Sequence, residues 1–389
     1  MKNQTAKLFF LLLVCVQLFT LDCNAQSTSQ QEPVLTGLDR VQEYHLLFVN
    51  HKIGIITNHT AINREGKHIT DIFLGLPDVQ VTALFGPEHG VRGQAAAGQQ
   101  VDSQIDPLKN VPVYSLYGAT KKPLPDMLKN VDMLVFDIQD IGARFYTFIW
   151  TMYYAMQAAA ENNIPFVVLD RPNPITGKVE GPILERQFAS FVGLQPIPVR
   201  HGMTVGELAQ LFNGEGWLGD NIKVDLTIIP LKHWRRDMWF DETGLEFIPP
   251  SPNMPNLETA TIYPGACLLE GTNVSEGRGT DSPFLLFGAP WIDADTLCEK
   301  LNVLQLDGLY FEPAEFTPVP LPEKAPFPKY ENQKCFGARI RILDRNTLNV
   351  FFSGVVIVYV LHDFYPDHFR FRPDGFFDKL CGTDKIRLA

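Results

Sequence analysis

The chain has 389 residues, of which 45% are hydrophobic and 20% charged, and its formal net charge is −11. That length exceeds what a single hydrophobic core usually supports, so we expect two globular units. An acidic chain without basic runs argues against nucleic acid and against anionic membrane surfaces as partners.

The first 25 residues have the pattern of a secretory signal peptide. Two lysines precede an apolar run over residues 8–21, and a small-x-small site ends at Ala25. Neither this run nor any later stretch is long and charge-free enough to predict a transmembrane helix. We expect an exported chain, periplasmic or extracellular, with a polar linker over residues 26–36 and no membrane insertion after cleavage. Cys23 leaves a lipid-anchored form open, although the two residues before it make a poor lipobox.

Four short apolar strands each end in a cluster of polar residues that are able to do chemistry. Helix-like segments separate them, which predicts a parallel, Rossmann-like α/β sheet. In such sheets the ligand crevice lies beyond the carboxyl ends of the strands, so the four clusters point to one active cleft. The strands and the clusters after them are 53–57 with Asn58 and His59, 79–85 with Glu88 and His89, 133–136 with Asp137, Gln139 and Asp140, and 166–169 with Asp170, Arg171 and Asn173.

The segments between and after these strands contain three further signals. Helical spacing of apolar residues predicts a helix over residues 144–161. The segment 86–110 lacks periodicity, and a loop of that length usually forms a lid or a substrate wall. Thr204 and Glu207 have the spacing of a capping box at the start of a short helix.

The proline-rich span 248–255 predicts a domain boundary, because successive prolines exclude both helix and central strand. It divides the chain into a Rossmann-like catalytic domain over residues 37–248 and a smaller α+β auxiliary domain over residues 249–389. A Gly-punctuated polar loop over residues 270–280 opens the second domain. The wide spacing of the four later cysteines fits no zinc or redox motif and favours buried free thiols: Cys267, Cys298, Cys335 and Cys381.

Glu88 is a candidate general acid. It follows an apolar strand and precedes a Gly-rich loop, and a carboxyl group shielded in such a place can hold its proton near neutral pH. The alternative is a structural role, in which Glu88 caps the next turn or pairs with Arg92. His89 could orient Glu88 or contact substrate.

Asp137 and Asp140 could supply a second acid/base group, because glycosidases commonly place two carboxylates across the scissile bond. The structural alternative is that Asp140 caps the following helix and pairs with Arg144. Asp170, Arg171 and Asn173 lie in a proline-rich turn that either presents them to a ligand or only builds the turn.

Arginines are the candidate anchors for an acidic substrate, since a guanidinium grips a carboxylate with two parallel hydrogen bonds. Arg278, in the same loop as Asn273 and Glu276, could reach a cleft between the domains, as could Arg92. A metal site built from His59, His89, Glu88 and Asp137 is an alternative, but no helical HExxH-type spacing supports it. No nucleophile elbow is present, and the Gly-rich strings lack the strand-to-helix setting of a dinucleotide or phosphate loop. We expect no cofactor and no metal.

Several long strings, in fixed order along nearly the whole exported chain, resemble the bacterial exo-β-N-acetylmuramidases, a family once known only as a domain of unknown function. They are GIITNHT (54–60), FGPEHGVRG (85–93), LVFDIQDIGARFYTF (134–148), LDRPNPITG (169–177), EGP (180–182), EGTNVSEGRGT (270–280) and GAPWID (288–293).

The resemblance implies a Rossmann-like domain, a smaller auxiliary domain and an active cleft between them. It implies release of N-acetylmuramic acid from the non-reducing end of peptidoglycan fragments, as in cell-wall recycling, with Glu88 as general acid. The second catalytic group stays open between Asp137 and the acetamido group of the substrate. The muramic acid lactyl carboxylate would need a local arginine, for which Arg92, Arg144 and Arg278 are candidates. The other polar residues of the strand ends and of the 270–280 loop are the predicted substrate contacts.

The sequence is compatible with two other functions. The same cleft would serve a non-catalytic protein that binds muropeptides. A metal-dependent hydrolase that acts on another wall bond is the third alternative. The sequence leaves the oligomeric state, the preferred fragment length and the tolerance of peptide stems open.

Overall fold

A computed structural model describes residues 32–92, 104–105, 111–220 and 222–389 of the chain. Residues 34–389 belong to one compact unit. The predicted signal peptide, the first part of the linker and most of the 86–110 loop beyond Arg92 lie outside the described residues. No helix within the described ranges is long and apolar enough to cross a membrane.

The larger sheet has seven strands in the order β3-β4-β2-β1-β5-β6-β7. All neighbours are parallel except the short edge pair β3 and β4. The predicted α/β class is therefore confirmed, and the chain moves outward from β1 in one direction and then, from β5, in the other, as in a doubly wound fold. The strands are β1 (Lys52–Thr57), β2 (Gln80–Gly86), β3 (Gln104–Ile105), β4 (Pro112–Ser115), β5 (Met133–Asp137), β6 (Phe166–Leu169) and β7 (Leu226–Ile229).

The four predicted strands are β2, β1, β5 and β6, which are adjacent in the sheet. Three of them, β1, β5 and β6, are buried along nearly their whole length. This is why they read as continuous apolar runs rather than alternating ones, since helices cover both faces of a parallel sheet. Their carboxyl ends meet at one edge, where the predicted polar clusters follow.

Helices cover the sheet and link it to the rest of the unit. A 3₁₀ helix (Leu38–Leu47) precedes β1. The capping box of Thr204 and Glu207 is confirmed at the start of α4. The α-helices are α1 (Ile69–Leu74), α2 (Pro125–Leu128), α3 (Phe148–Glu161), α4 (Val205–Gly214), α5 (Leu257–Ala266), α6 (Ala294–Val303), α7 (Val350–Phe364), α8 (Phe376–Cys381) and α9 (Lys385–Leu388).

Helix α3 begins at Phe148, four residues later than the sequence predicts. Gly142 has a φ of +85°, in the left-handed region that favours glycine, and the turn that it allows leads into residues 143–147. The N–H of Arg144 donates to the carbonyl of Val199 at 2.7 Å, so this stretch is bound to a neighbouring segment instead of to a helix. The loop so formed brings residues 145–147 to the carboxyl edge of the sheet.

A second, antiparallel sheet of three strands lies in the carboxyl-terminal part, in the order β8-β10-β9. Its strands are β8 (Leu286–Ala289), β9 (Leu309–Phe316) and β10 (Cys335–Ile342). Helices α6 and α7 accompany it, so this part is α+β, as predicted. The four cysteines of this part are free and buried, also as predicted.

Helices α5 and α7 cross with their backbones in close contact. A Cβ added to Gly265 would lie 2.1 Å from the carbonyl oxygen of Val350, and one added to Gly354 would lie 2.4 Å from that of Gly265. Only glycine allows this approach. The crossing fixes α5, and with it Tyr263, relative to the carboxyl-terminal helices.

Candidate active site

A cavity of about 460 Å³ lies at the carboxyl edge of the large sheet. Its wall combines residues that follow β2, β4 and β5 with residues from the proline-rich span, from α5 and from the 270–280 loop. We call it the Glu88 cavity. Its lining consists of Glu88, His89, Tyr117, Gly118, Lys121, Phe145, Tyr146, Thr147, Phe191, Val192, Ser251, Asn253, Met254, Tyr263, Glu270, Arg278, Phe284 and Phe376.

Glu88 is presented to this cavity by a sharp turn. His89 has a φ of 69° and Gly90 a φ of 74°, and a positive φ is uncommon in residues other than glycine. The hydroxyl of Thr147 donates a hydrogen bond to Glu88 Oε2 at 2.7 Å. Burial, together with the neighbouring charge of Glu88, raises the pKa of Tyr117, so this phenol stays protonated and is able to donate. Glu88 is thus a carboxyl group fixed by side-chain hydroxyls.

Aromatic side chains form one side of the cavity. The Tyr263 ring packs edge-on against Phe284, Phe145 and Tyr146, with ring centroids 4.7, 5.3 and 6.0 Å apart. Flat apolar faces next to hydroxyl and amide groups suit a ligand that has both C–H faces and hydroxyl groups, as a sugar ring has.

Two cations face the cavity. Arg278 contacts Glu270 at 2.7 Å and Glu276 at 3.4 Å, and its guanidinium lies 5.2 Å from the ring centre of Phe284. Lys121 lies over the ring of Phe191 at 4.8 Å. Glu270 is a second carboxylate of the cavity wall, engaged by Arg278. A bound anion therefore has a positive partner within this otherwise acidic chain.

Asp137 is not part of this wall. Its side chain is fully buried and forms a two-point ion pair with Arg171, through Nε to Oδ1 and Nη2 to Oδ2, the latter at 3.0 Å. Arg171 also donates to the carbonyl of Ile62 at 3.0 Å. A carboxylate enclosed in this way is placed to hold β5 and the turn after β6 together rather than to reach a substrate in the Glu88 cavity.

The other polar residues at the strand ends form a buried network beside that ion pair. Asn58 Oδ1 accepts from the hydroxyl of Thr60 at 2.6 Å. Gln139 Nε2 donates to the carbonyl of Pro172 at 2.9 Å, and Asn173 Nδ2 donates to that of Met203 at 3.0 Å. These predicted substrate contacts brace the loops, and none of Asn58, Gln139 and Asn173 lines the Glu88 cavity.

The predicted pairing of Asp140 with Arg144 is wrong. Asp140 Oδ2 accepts from the N–H of Gly142 at 2.7 Å and lies 3.2 Å from Nε2 of His201. The guanidinium of Arg144 donates instead to the carbonyls of Pro182, Ile197 and Leu380, at 2.9, 2.9 and 2.8 Å. Burial lowers the pKa of Arg144 to about 10. Arg144 is fully buried, so it joins three segments and is not a substrate anchor.

The buried carboxyl group of Asp170 should make the stability of the fold depend on pH. It accepts from the N–H of Gly206 at 2.8 Å and from the hydroxyl of Thr204 at 3.0 Å, yet burial raises its pKa to about 7. The folded state then binds this proton more tightly than the unfolded chain does, so its contribution to stability is fully present below about pH 4 and is lost as pH rises to about 7. We expect the unfolding free energy of Asp170→Asn relative to wild type to rise by up to about 1.4 kcal/mol per pH unit in that window. Urea unfolding at several pH values measures it, and a constant difference would contradict it.

Of the remaining predicted substrate contacts, some line the Glu88 cavity and others do not. His89 and Arg278 line the Glu88 cavity, as predicted, whereas Arg92 is exposed and does not. His59 Nε2 contacts the carbonyl of Pro249 at 2.7 Å, and burial lowers its pKa. Asn273 bonds to the backbone of the carboxyl-terminal segment, donating to the carbonyl of His368 at 2.9 Å.

Glu276 lies 2.9 Å from Lys329 and behind Arg278, which it helps to orient. In the described parts of the chain, no three His, Cys, Asp or Glu side chains lie together as a metal ion would require.

Most of the wall of the Glu88 cavity consists of residues that no sequence pattern marks as functional. Tyr117 and Lys121 follow β4, a short strand with little apolar signal, and Ser251 and Asn253 belong to the span that reads as a boundary. Thr147 lay inside the predicted helix. Of the missed residues, only Glu270 could have been found from the sequence, because it begins the 270–280 loop that contains Arg278.

This arrangement defines a class: an α/β protein with a hydroxyl-held carboxyl group in a polar and aromatic cleft, between a Rossmann-like sheet and an α+β part. The family follows from comparison. Residues 53–258 match the family model of the exo-β-N-acetylmuramidase NamZ N-terminal domain, and residues 261–389 match that of its C-terminal domain. The chain belongs to the NamZ family of exo-β-N-acetylmuramidases, as its sequence motifs indicate.

Individual relatives agree. The chain is 52% identical over 362 residues to the peptidoglycan β-N-acetylmuramidase NamZ of Bacillus subtilis, which covers 92% of this chain and 85% of the relative. Two crystal structures of DUF1343 family proteins from Bacteroides fragilis are similar. One has a TM-score of 0.84 and 38% identity, covering 92% of this chain and 91% of the other. The second has a TM-score of 0.73 and 36% identity, covering 91% and 90%.

Proposed function

We propose that this protein is an exo-acting glycoside hydrolase that releases N-acetylmuramic acid from the non-reducing end of peptidoglycan fragments. The observation that supports it best is Glu88, held by Thr147 on the wall of a cavity of about 460 Å³ in a chain that is 52% identical to a peptidoglycan β-N-acetylmuramidase. That volume suits the burial of one sugar residue of a longer chain.

In this proposal Glu88 is the general acid. It gives its proton to the glycosidic oxygen as the bond to the leaving sugar breaks, and the hydroxyl of Thr147 keeps its carboxyl group aimed into the cavity. The aromatic side chains around Tyr263 exclude water from one side of the sugar. Asp137 takes no part, because Arg171 occupies both of its oxygens.

The direct test uses a chromogenic β-N-acetylmuramide and the matching β-N-acetylglucosaminide, which lacks only the lactyl group. Release from the muramide alone is the expected result. Release from neither, together with tight binding of muropeptides, would instead favour the non-catalytic binding protein.

Because the chain starts with a signal-peptide pattern, we also propose that it works outside the cytoplasm. The sequence of the mature N-terminus in an expressing cell tests this.

Arg278 is the proposed partner of the lactyl carboxylate. Unlike Arg92 and Arg144, it lines the Glu88 cavity, where its fork geometry suits a carboxylate. We expect Arg278→Lys, which keeps the charge but loses the fork, to reduce the muramide-to-glucosaminide preference by about tenfold. The measurement is kcat/KM for the two chromogenic substrates.

Arg92→Lys is the matched control for that prediction, because it makes the same chemical change at an exposed residue outside the cavity wall. Its preference should stay at the wild-type value. If Arg92→Lys loses the preference and Arg278→Lys keeps it, the lactyl group binds at Arg92 instead.

A further inference from the structure

A second cavity, of about 540 Å³, lies against the Glu88 cavity. Glu270, Arg278 and Phe376 line both, so the two cavities share a wall. Its outer side is formed by the loop of residues 324–329. We call it the Phe327 cavity, after the aromatic residue of this loop.

The Phe327 cavity has an excess of positive charge in a chain of net charge −11. Two of its cations pair with carboxylates of the same wall: Lys329 lies 2.9 Å from Glu276, and Arg278 lies 2.7 Å from Glu270. The other two are Lys324 and Arg372, both exposed. Arg372 contacts Asp374 at 2.6 Å, whereas the ammonium of Lys324 has no ion pair or hydrogen bond among the described residues.

Phe327 gives the cavity an exposed aromatic face. It is 89% exposed, an unusual state for a phenylalanine, and it stands between Pro326 and Pro328, whose rings restrict the backbone. An exposed apolar ring is suited to stack on a sugar face, and the two prolines limit the backbone freedom that the loop would lose on binding.

The loop that carries Lys324 and Phe327 is anchored to the first cavity. Asn253, which lines the Glu88 cavity, donates from Nδ2 to the carbonyl of Lys324 at 2.6 Å. The ammonium of Lys329 donates to the carbonyls of Leu269 and Val274, each at 2.9 Å. Hydrogen bonds therefore hold both ends of this loop beside the Glu88 cavity.

We propose that the Phe327 cavity binds the leaving-group part of the substrate, with a sugar ring stacked on Phe327 and a carboxylate held by Lys324 and Arg372. This rests on the proposed function, since an exo-acting hydrolase takes one terminal sugar into its cavity and must accommodate the rest of the chain beside it. The carboxylate comes either from the lactyl group of the next muramic acid or from its peptide stem, and the same cations serve both.

Calorimetric binding to the wild-type protein tests this without any turnover. The probes are N-acetylglucosaminyl-N-acetylmuramic acid, the same disaccharide carrying an Ala-Glu stem, and chitobiose, which has no carboxylate. We expect at least one of the two anionic probes to bind about tenfold more tightly than chitobiose. The one that does so identifies the source of the carboxylate.

The variant that tests the site is Lys324→Gln combined with Phe327→Ala, two exposed positions at which folding is not at risk. It should weaken binding of the anionic probe by about tenfold and abolish the preference over chitobiose. The matched control is Lys67→Gln combined with Phe352→Ala, two residues that are exposed but line neither cavity, and it should bind like wild type. Equal binding of all three probes, or a preference that survives in the test variant, would overturn the proposal.

Turnover separates this proposal from the proposed function. The chromogenic muramide has no sugar on its leaving side, so the test variant should hydrolyse it at the wild-type rate. If wild type hydrolyses no muramide but binds the anionic probe through Lys324 and Phe327, the anionic saccharide site stands and the hydrolase assignment falls. If hydrolysis is normal and the binding preference is absent, only the leaving-group site is wrong.

Discussion

Replacement of Glu88 by glutamine is expected to reduce hydrolysis of a muramic acid disaccharide by about 10²- to 10⁴-fold, the usual contribution of a general acid. Glutamine keeps the size of the side chain and can still accept the hydrogen bond from Thr147, so the fold should be unchanged. What is lost is the proton that the leaving sugar needs. The measurement is kcat/KM for the disaccharide together with the unfolding free energy.

Substrates with different leaving groups distinguish a general acid from a residue that only binds the sugar. A sugar alkoxide leaves with difficulty and needs a proton, whereas a nitrophenolate leaves almost unaided. Glu88→Gln should therefore cost far more on the disaccharide than on the aryl muramide, where we expect a loss of about tenfold. Equal losses on both substrates would mean that Glu88 positions the sugar without protonating it. Glu161→Gln, at an exposed residue that pairs with Lys122 at 2.8 Å, is the control and should leave both rates unchanged.

The sequence was sufficient to predict the sheet and the edge at which the site lies. β1, β5 and β6 are buried apolar runs, and each is followed by polar residues, so the parallel class and the shared carboxyl edge could be inferred from local patterns. The capping box of Thr204 and Glu207 was equally local. Patterns of this kind involve residues within a few positions of one another, and these were the ones predicted well.

The sequence could not show which polar residues at the carboxyl edge of the sheet face the open cavity and which are enclosed. Glu88 reaches the open cavity, but Asp137, which follows a neighbouring strand, is enclosed by Arg171, 34 positions further along the chain. A strand buried on both faces has no alternation that would show which way its final side chain points. Lys324 could not be placed from a local pattern either, because its loop is held near the cavity by a hydrogen bond from Asn253, 71 positions earlier.

Replacement of Asp137 by asparagine is expected to lower the free energy of unfolding substantially. Asp137→Asn leaves the guanidinium of Arg171, which is 5% exposed, without its counter-charge, and breaking a buried pair from one side typically costs about 3–5 kcal/mol. We expect a loss of that size in urea unfolding. Asp126→Asn makes the same chemical change in an exposed pair with Lys129 and should leave the unfolding free energy close to the wild-type value.

The same variant decides between the two roles that the sequence left open for Asp137. If it is structural, the fraction of Asp137→Asn that folds should hydrolyse the chromogenic muramide at close to the wild-type rate per folded molecule. Replacing both partners, as Asp137→Leu with Arg171→Met, should recover much of the lost stability, because no charge is then left buried and unpaired. A stable Asp137→Asn protein without activity would instead return Asp137 to the catalytic site. The buried position of the pair, away from the wall that holds Glu88, favours the first result.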